Sequence, residues 1–354
     1  MTDRTPPLRV VVVGTGFVAP YHVAGWRQAG CEVVAAVTRD PAAPRLAELG
    51  IPAGYRTLEE AIGRTRPDAI DIASPPLNHP ADCGVAIQAG LPFMCQKPLA
   101  ANLADARAIV AAAGGLPAMV HENFRFRPWN RALKAELDAG AIGTPFFARS
   151  SERKAGTVTI AEHPGMPWSL ARQPRHAALN PFLILESVIH QIDVARYLFG
   201  EPRRLFARAR RVSPLVAAED TALLTLAFDD MDVSIERSYA SKGHPSPQSG
   251  GGERVLVEGA EGSAFLTGDG RLTIIRDGPA GRREWAPEFD RTDAYARSYA
   301  DCIAHFVQGL GTGAAFETSL EDNLKTLTAV FAAYRSIETG EAVDLQSFGS
   351  DECT

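Results

Sequence analysis

Leu8-Arg9-Val10-Val11-Val12-Val13-Gly14-Thr15-Gly16-Phe17-Val18-Ala19 is the stretch that decides the fold. An apolar run of strand length ends in a glycine turn and passes into a helical pattern. Gly14 permits the tight turn, and Gly16 leaves the backbone bare for a pyrophosphate to approach. Ala19 is small enough to let the helix pack close to the strand. The first turn of that helix offers N–H groups and a partial positive charge to phosphate oxygens. Thr15, Phe17 and Val18 complete the candidate cradle. By itself such a turn also serves as plain structural punctuation. Here it lies near the start of the sequence and a βαβ pattern follows it.

Working outward, short apolar strands at 8–13, 32–37, 69–73, 92–95 and 118–121 alternate with helical stretches at 17–29, 41–49, 58–64, 80–89 and 102–113, the last with Asn102 as N-cap. That alternation implies a parallel sheet covered on both faces. The second half changes character. A helix at 128–139 and a strand at 145–153 precede an irregular segment, 154–180, and a strong helix at 181–199 that stops at Gly200. Alternating runs at 205–212, 221–228, 233–239, 254–258, 263–266 and 272–276 predict an open, mostly antiparallel sheet, and helices at 293–308 and 320–338 close the pattern. Segment 241–252, rich in Gly, Ser and Pro, reads as a mobile hairpin loop; no helix start follows it, so it is not a phosphate loop. The layout is α/β: an N-terminal Rossmann domain over 1–123 and an α+β domain over 124–354 for substrate binding and oligomerisation.

Composition narrows the function classes. The 354 residues suggest two domains, and 45% apolar content is ordinary for a globular protein. A net charge of −6 argues against a nucleic-acid partner, which needs a basic footprint. No apolar run approaches the ~20 residues of a membrane-spanning helix, and residues 1–7 do not read as a signal peptide. The five cysteines, an odd number with no CxxC pair, fit a reducing cytoplasm better than a disulfide framework or a zinc site.

Ligands of open parallel sheets sit beyond the strand C-termini, so the residues there carry the chemistry. After the second strand come Thr38-Arg39-Asp40. A carboxylate at that place would hold the ribose 2′-hydroxyl of NAD. The hydroxyl and guanidinium of Thr38 and Arg39 suit the 2′-phosphate of NADP instead, and the reading leans that way. Asp40 keeps the alternative open, either as a ribose partner or as a cap of the next helix. After the third strand, Ser74-Pro75-Pro76-Leu77-Asn78-His79 form a turn stiffened by proline that can lie along the nicotinamide ribose. After the fourth come Gln96-Lys97-Pro98, with Gln96 and Lys97 as candidates for cofactor contact and Lys97 also for substrate, and after the fifth Asn123 and Arg125, candidates for substrate contact.

In the strong helix, Glu186, His190 and Asp193 fall four and three residues apart and share one face. Among apolar neighbours such a stripe is costly unless it works. Metal binding is open from the residue types, but a nearby dinucleotide site favours proton transfer, and no metal is assigned. Trp168, Arg172, Arg175 and His176 precede this helix on a stretch able to close over substrate. The two arginines hint at an acidic substrate.

Taken in order, the GxGxxA turn, Ser74-Pro75-Pro76 with His79, Gln96-Lys97-Pro98 and Glu186-x-x-x-His190-x-x-Asp193 resemble the glucose-fructose oxidoreductase / inositol dehydrogenase / rhizopine catabolism (Gfo/Idh/MocA) family over roughly residues 8–340. The resemblance implies NAD(P)-dependent oxidation or reduction of a sugar, polyol or sugar acid, and a homo-oligomer (dimer or tetramer) built through the open sheet. The family's Glu-Lys-Pro lysine maps onto Lys97, and its Asp-x-x-x-His pair onto Glu186 and His190. The sequence departs from the pattern at Gln96 for glutamate, Val188 for glycine and Glu186 for aspartate, and in Asn180-Pro181-Phe182, which replace a glycine-rich approach to the helix. The expected mechanism has His190 as base, Glu186 as its orienting acid and Lys97 as donor to the reacting oxygen. Asp193 supports the histidine or holds another substrate hydroxyl. Two alternatives are redox-neutral chemistry, in which bound cofactor is reduced and reoxidised within one turnover, and a non-catalytic dinucleotide sensor.

Overall fold

The computed structural model describes residues 6–161, 164–242, 254–278, 281–286 and 291–348. The chain forms two compact units, Met1–Phe126 with Tyr295–Lys325, and Arg127–Ala294 with Thr326–Thr354.

The first unit runs β1 (Arg9–Val13), α1 (Ala19–Gln28), β2 (Glu32–Val37), α2 (Arg45–Glu48), β3 (Gly54–Tyr55), α3 (Leu58–Thr65), β4 (Ala69–Ile72), α4 (His79–Gln88), β5 (Phe93–Gln96), α5 (Leu103–Ala113) and β6 (Ala118–His121). Its sheet has the order β3-β2-β1-β4-β5-β6, parallel throughout. The five expected strands are present, with β3 as a sixth; two residues are too few to show a pattern. The helix expected over 41–49 is only α2, because Pro44 stands at its N-cap.

The strand order reverses between β1 and β4, and the ends of these two strands meet there. Gly14 has φ +103°, donates its N–H to Val37 O at 2.9 Å, and lies so close to β4 that a Cβ would sit 2.8 Å from Ala73 O. Only glycine fits that turn. The core of this unit includes Val10, Val12, Trp26 and Met94, joined by Cys302, Ile303 and Phe306 of the returning segment. Trp26 meets Phe306 edge to face at 5.9 Å. At Gly25 a Cβ would lie 2.6 Å from Ile303 Cδ1, so the returning helix packs on α1 at a glycine.

The second unit holds α6 (Pro128–Asp138), β7 (Pro145–Arg153), α7 (Trp168–Arg172), a 3-10 turn (Pro174–Ala177), a π turn (Ile184–Val188), α8 (Ile189–Phe199), β8 (Arg204–Arg210), β9 (Thr221–Ala227), β10 (Asp232–Ser238), β11 (Arg254–Gly259), β12 (Gly262–Leu266), β13 (Leu272–Arg276) and β14 (Arg282–Trp285). The chain closes with α9 (Arg291–Thr312), α10 (Leu320–Thr339), β15 (Val343–Asp344) and α11 (Leu345–Phe348). The nine-stranded sheet runs β14-β13-β12-β11-β7-β10-β9-β8-β15, antiparallel except for the β7–β10 pair. Strands alternate as a one-sided sheet requires: Leu224, Ile235, Val257 and Ala264 are buried, whereas Leu223 and Phe265 are exposed.

Two readings of this half change. The stretch expected to be irregular carries α7 and the 3-10 turn, and the expected continuous helix opens with a π turn. Of the loop reading over 241–252, residues 243–252 lie outside the described residues. Among the described residues no helix is long and apolar enough to cross a membrane.

Gly14→Ala is expected to cost about 1–3 kcal/mol, since alanine would combine the positive φ with the Ala73 collision. Urea unfolding measures it; an unchanged midpoint would contradict the close approach.

Candidate active site

At the head of α1 the helix begins after Val18, whose side chain cannot cap it, and Pro20 in its first turn has no N–H. A Cβ built on Gly16 meets nothing within 4 Å, so the turn is open on the side where a phosphate would lie. The Thr15 and Thr38 hydroxyls pair at 3.2 Å, which fixes the end of β2 against the turn. Arg39 is exposed, and its carbonyl accepts from Arg56 Nη1 at 2.7 Å. Arg45 donates from Nε to Thr15 O at 3.2 Å. Three guanidinium-bearing residues thus gather around the end of β2; the sequence reading found Arg39 and missed Arg45 and Arg56, which arrive from beyond the next turn. The Asp40 carboxylate accepts the Ala42 N–H at 3.1 Å, a local turn rather than the cap of α2.

Beyond β4, Ser74 donates to Asp82 Oδ2 at 2.6 Å. Burial pushes the Asp82 carboxyl up, and this bond pulls it back. Pro75 O accepts the Asn78 N–H at 2.8 Å, closing the turn into α4. His79 is fully buried, with Nδ1 2.9 Å from Pro98 O and Nε2 2.9 Å from Ser74 O, so its ring ties the turn after β4 to the turn after β5.

The Gln96 side chain, at the end of β5, lies in a buried polar cluster. Its Oε1 accepts the Lys97 backbone N–H at 3.1 Å. Its Nε2 lies 2.8 Å from His22 Nε2 and 3.1 Å from His121 Nδ1. Asp71 closes the cluster, 2.8 Å from His22 Nδ1 and accepting from Trp26 Nε1 at 2.6 Å. The Tyr299 ring covers both imidazoles, at 5.4 and 4.7 Å. After β6, Asn123 donates to Ser298 Oγ at 2.7 Å, and Arg125 to Glu317 O and Asp322 Oδ2 at 2.9 and 2.6 Å. Both candidate substrate residues therefore hold their segment to Tyr295–Lys325.

In the second unit, the leading N–H groups of the key helix are met by side chains and backbone of other elements. Glu219 accepts from Phe182 N and Ile184 N through Oε1, at 3.2 and 3.1 Å, and from Leu183 N through its backbone carbonyl at 3.3 Å. Tyr334 accepts from Leu185 N at 3.1 Å and donates to Glu219 Oε1 at 2.7 Å. Burial, then the Glu219 charge, push the Tyr334 phenol up. Glu186 lies in the π turn and His190 and Asp193 in α8, so the expected stripe spans two helical forms.

Glu186 is half-buried, with Arg175 Nη2 at 3.4 Å, and His190 is buried. Asp193 accepts from Thr326 Oγ1 at 2.8 Å, and Arg196 joins that group through Thr326 and a two-pronged bond to Glu201 at 2.7–2.8 Å. Two cations approach the Trp168 ring, the Arg172 guanidinium at 5.0 Å and the Lys154 ammonium at 5.8 Å. His176 lies behind it, Nδ1 2.7 Å from Ser169 Oγ. Lys154 also pairs with the buried Glu152 at 2.7 Å, which Arg237 contacts as well. Burial alone would raise the Glu152 carboxyl; Arg237 and Lys154 outweigh it and hold it at about 2. Lys154, Glu152 and Arg237 had no sequence signal, because strand neighbours come together only by register.

Residues 8–124 match the family described as an oxidoreductase family with an NAD-binding Rossmann fold, and 130–265 match the Gfo/Idh/MocA C-terminal domain. The chain belongs to the Gfo/Idh/MocA family. As a member it is an NAD(P)-dependent oxidoreductase acting on CH–OH groups. It is 37% identical to a D-apiose dehydrogenase of Paraburkholderia graminis, over 99% of this chain and 93% of the relative. It is 32% identical to a D-apiose dehydrogenase of Rhizobium rhizogenes, over 96% and 97%. Among solved structures, an Agrobacterium radiobacter oxidoreductase in complex with NAD+, L-tartaric acid and magnesium superposes with a TM-score of 0.86 at 31% identity, covering 97% of this chain and 99% of that one.

Tyr334→Phe strips the Leu185 N–H and Glu219 of a buried partner, so a loss of about 1–3 kcal/mol is expected in denaturant unfolding. A variant as stable as the parent would mean that the phenol does not hold this Gfo/Idh/MocA helix.

Proposed function

We propose that this family member is an NADP-preferring dehydrogenase of D-apiose or a similar small aldose. The full-length similarity to two D-apiose dehydrogenases carries the substrate. Gly14, Gly16 and the α1 N-terminus fit a pyrophosphate. Thr38, with Arg39, Arg45 and Arg56 around it and Asp40 turned to Ala42, fits a 2′-phosphate better than a bare ribose. The bound nicotinamide supplies or takes the hydride.

Lys97 donates to the reacting oxygen and stabilises the negative charge that grows there. His190 takes the hydroxyl proton. Glu186 orients the imidazole, Asp193 supports its helix, and the Trp168 face receives the C–H side of the sugar. Asn123 and Arg125 shape the segment after β6. A second reading, a hydroxy acid, is favoured by Lys154 and Arg172 at the Trp168 ring, by Arg175 beside Glu186 and by the tartaric acid bound to the Agrobacterium relative.

Four buried free cysteines, Cys31, Cys83, Cys95 and Cys302, support a cytoplasmic location. Leu223, Phe265 and Ile275 leave apolar surface on the outer face of the nine-stranded sheet, at 46%, 38% and 40% exposure, and Leu256 pairs with Phe265 beside them. We assign that face to a second copy of the chain.

Turnover of D-apiose and of tartrate with NADP+ and NAD+ tests the reading. Lys97→Ala and His190→Ala are each expected to lower kcat by about 10²–10⁴-fold with NADPH affinity nearly unchanged. Parent-like turnover in either would remove that residue from the chemistry. NADPH binding without turnover on either compound would favour the redox-neutral or sensor alternatives. Leu223→Glu is expected to shift the sedimenting species to monomer; a monomeric parent would sink the interface.

A further inference from the structure

The contacts of Gln96 admit one arrangement of protons. The Lys97 backbone N–H can only donate, so the Gln96 atom facing it at 3.1 Å is the carbonyl oxygen. The amide NH2 is thereby turned to the two imidazoles, one hydrogen to His22 Nε2 at 2.8 Å and the other to His121 Nδ1 at 3.1 Å. Both ring nitrogens must then accept. His22 carries its proton on Nδ1, where it donates to Asp71 at 2.8 Å. The amide faces His22 from α1 and His121 from β6; Asp71 from β4 holds the far side of His22, and the Tyr299 ring from α9 covers both imidazoles. His22, Asp71 and His121 are fully buried and Gln96 is 7% exposed, so water does not substitute for a lost partner.

We propose that Gln96 is the positioning residue of Lys97. Its amide, held in one direction by two acceptor imidazoles, fixes the backbone from which the Lys97 ammonium reaches the reacting oxygen. The proposal rests on the assignment of Lys97 to the chemistry. A glutamate at this place would present a carboxylate oxygen to two lone pairs. It could restore a bond only when a proton is taken up between them, so a carboxylate is not an equivalent of this amide.

The test begins with the ligand-free protein and needs no substrate. In ¹⁵N-histidine spectra of the parent, His22 is expected as the Nδ1–H tautomer; an Nε2–H ring would overturn the arrangement. In Gln96→Met the Lys97 amide is expected to exchange at least about tenfold faster while the other β5 amides keep their rates. In Gln96→Glu, His22 or His121 is expected to gain a second ring proton at neutral pH. Unchanged Lys97 exchange in the first variant, or unchanged histidine spectra in the second, would overturn the proposal. With D-apiose and NADP+, kcat is expected to fall about 100-fold in both variants at a nearly constant KM. A parent-like kcat in a variant whose Lys97 amide has loosened would also overturn it. If the parent itself does not turn over D-apiose, the substrate reading fails, and exchange and tautomer still decide how Lys97 is held.

Discussion

The first unit depends on one close approach. The end of β1 has to reach the end of β4 within 2.8 Å of where a side chain would begin, and glycine alone allows it. This contact brings the turn before α1 beside the turn before α4. The phosphate cradle, the Thr15–Thr38 pair and the Ser74–His79 turn are all placed from it. The same unit uses a second glycine, Gly25, to admit a helix that returns from far along the sequence. Without that helix Trp26 would lack Phe306, and His22 and His121 would lack the Tyr299 ring that covers them.

Local chemistry made the Rossmann half legible. A run of valines before a glycine turn can be read one residue at a time, and strand–helix alternation repeats the statement five times. The family resemblance rested on ordered motifs at strand ends, where position in the fold follows from position in the chain. Legibility ended where a property belongs to two distant segments. β3 and β15 are two residues each and exist only as partners of β2 and β8. The return of Tyr295–Lys325 to the first unit leaves no mark in a helical pattern, because amphipathicity tells that a face is buried but not against what. The π turn is of the same kind: Glu219 and Tyr334, 33 and 148 residues beyond Glu186, decide how the helix opens.

The candidate site follows the same division. Lys97 and His190 are proposed from residue type and spacing. Asp71, reading as one polar residue in an apolar strand, is the anchor of a buried hydrogen-bond network, and Arg45 and Arg56 acquire a role only when β2 and β3 are paired. Asp40, Asn123 and Arg125 share a property. Each has a side chain whose chemistry suits a ligand and equally suits a neighbouring protein group, and the fold brings such a partner to each.

Both units carry charged groups indoors. In the second, Glu152 lies between Lys154 and Arg237, an arrangement stable only while both signs are present. In the first, the buried Asp71 carboxylate accepts from an indole and an imidazole. A chain of directional bonds passes from Asp71 through His22 to Gln96 and the Lys97 backbone. On this view the glutamine at position 96 is matched to the histidines around it, since exchange for the acid would ask the buried rings to change protonation along with it.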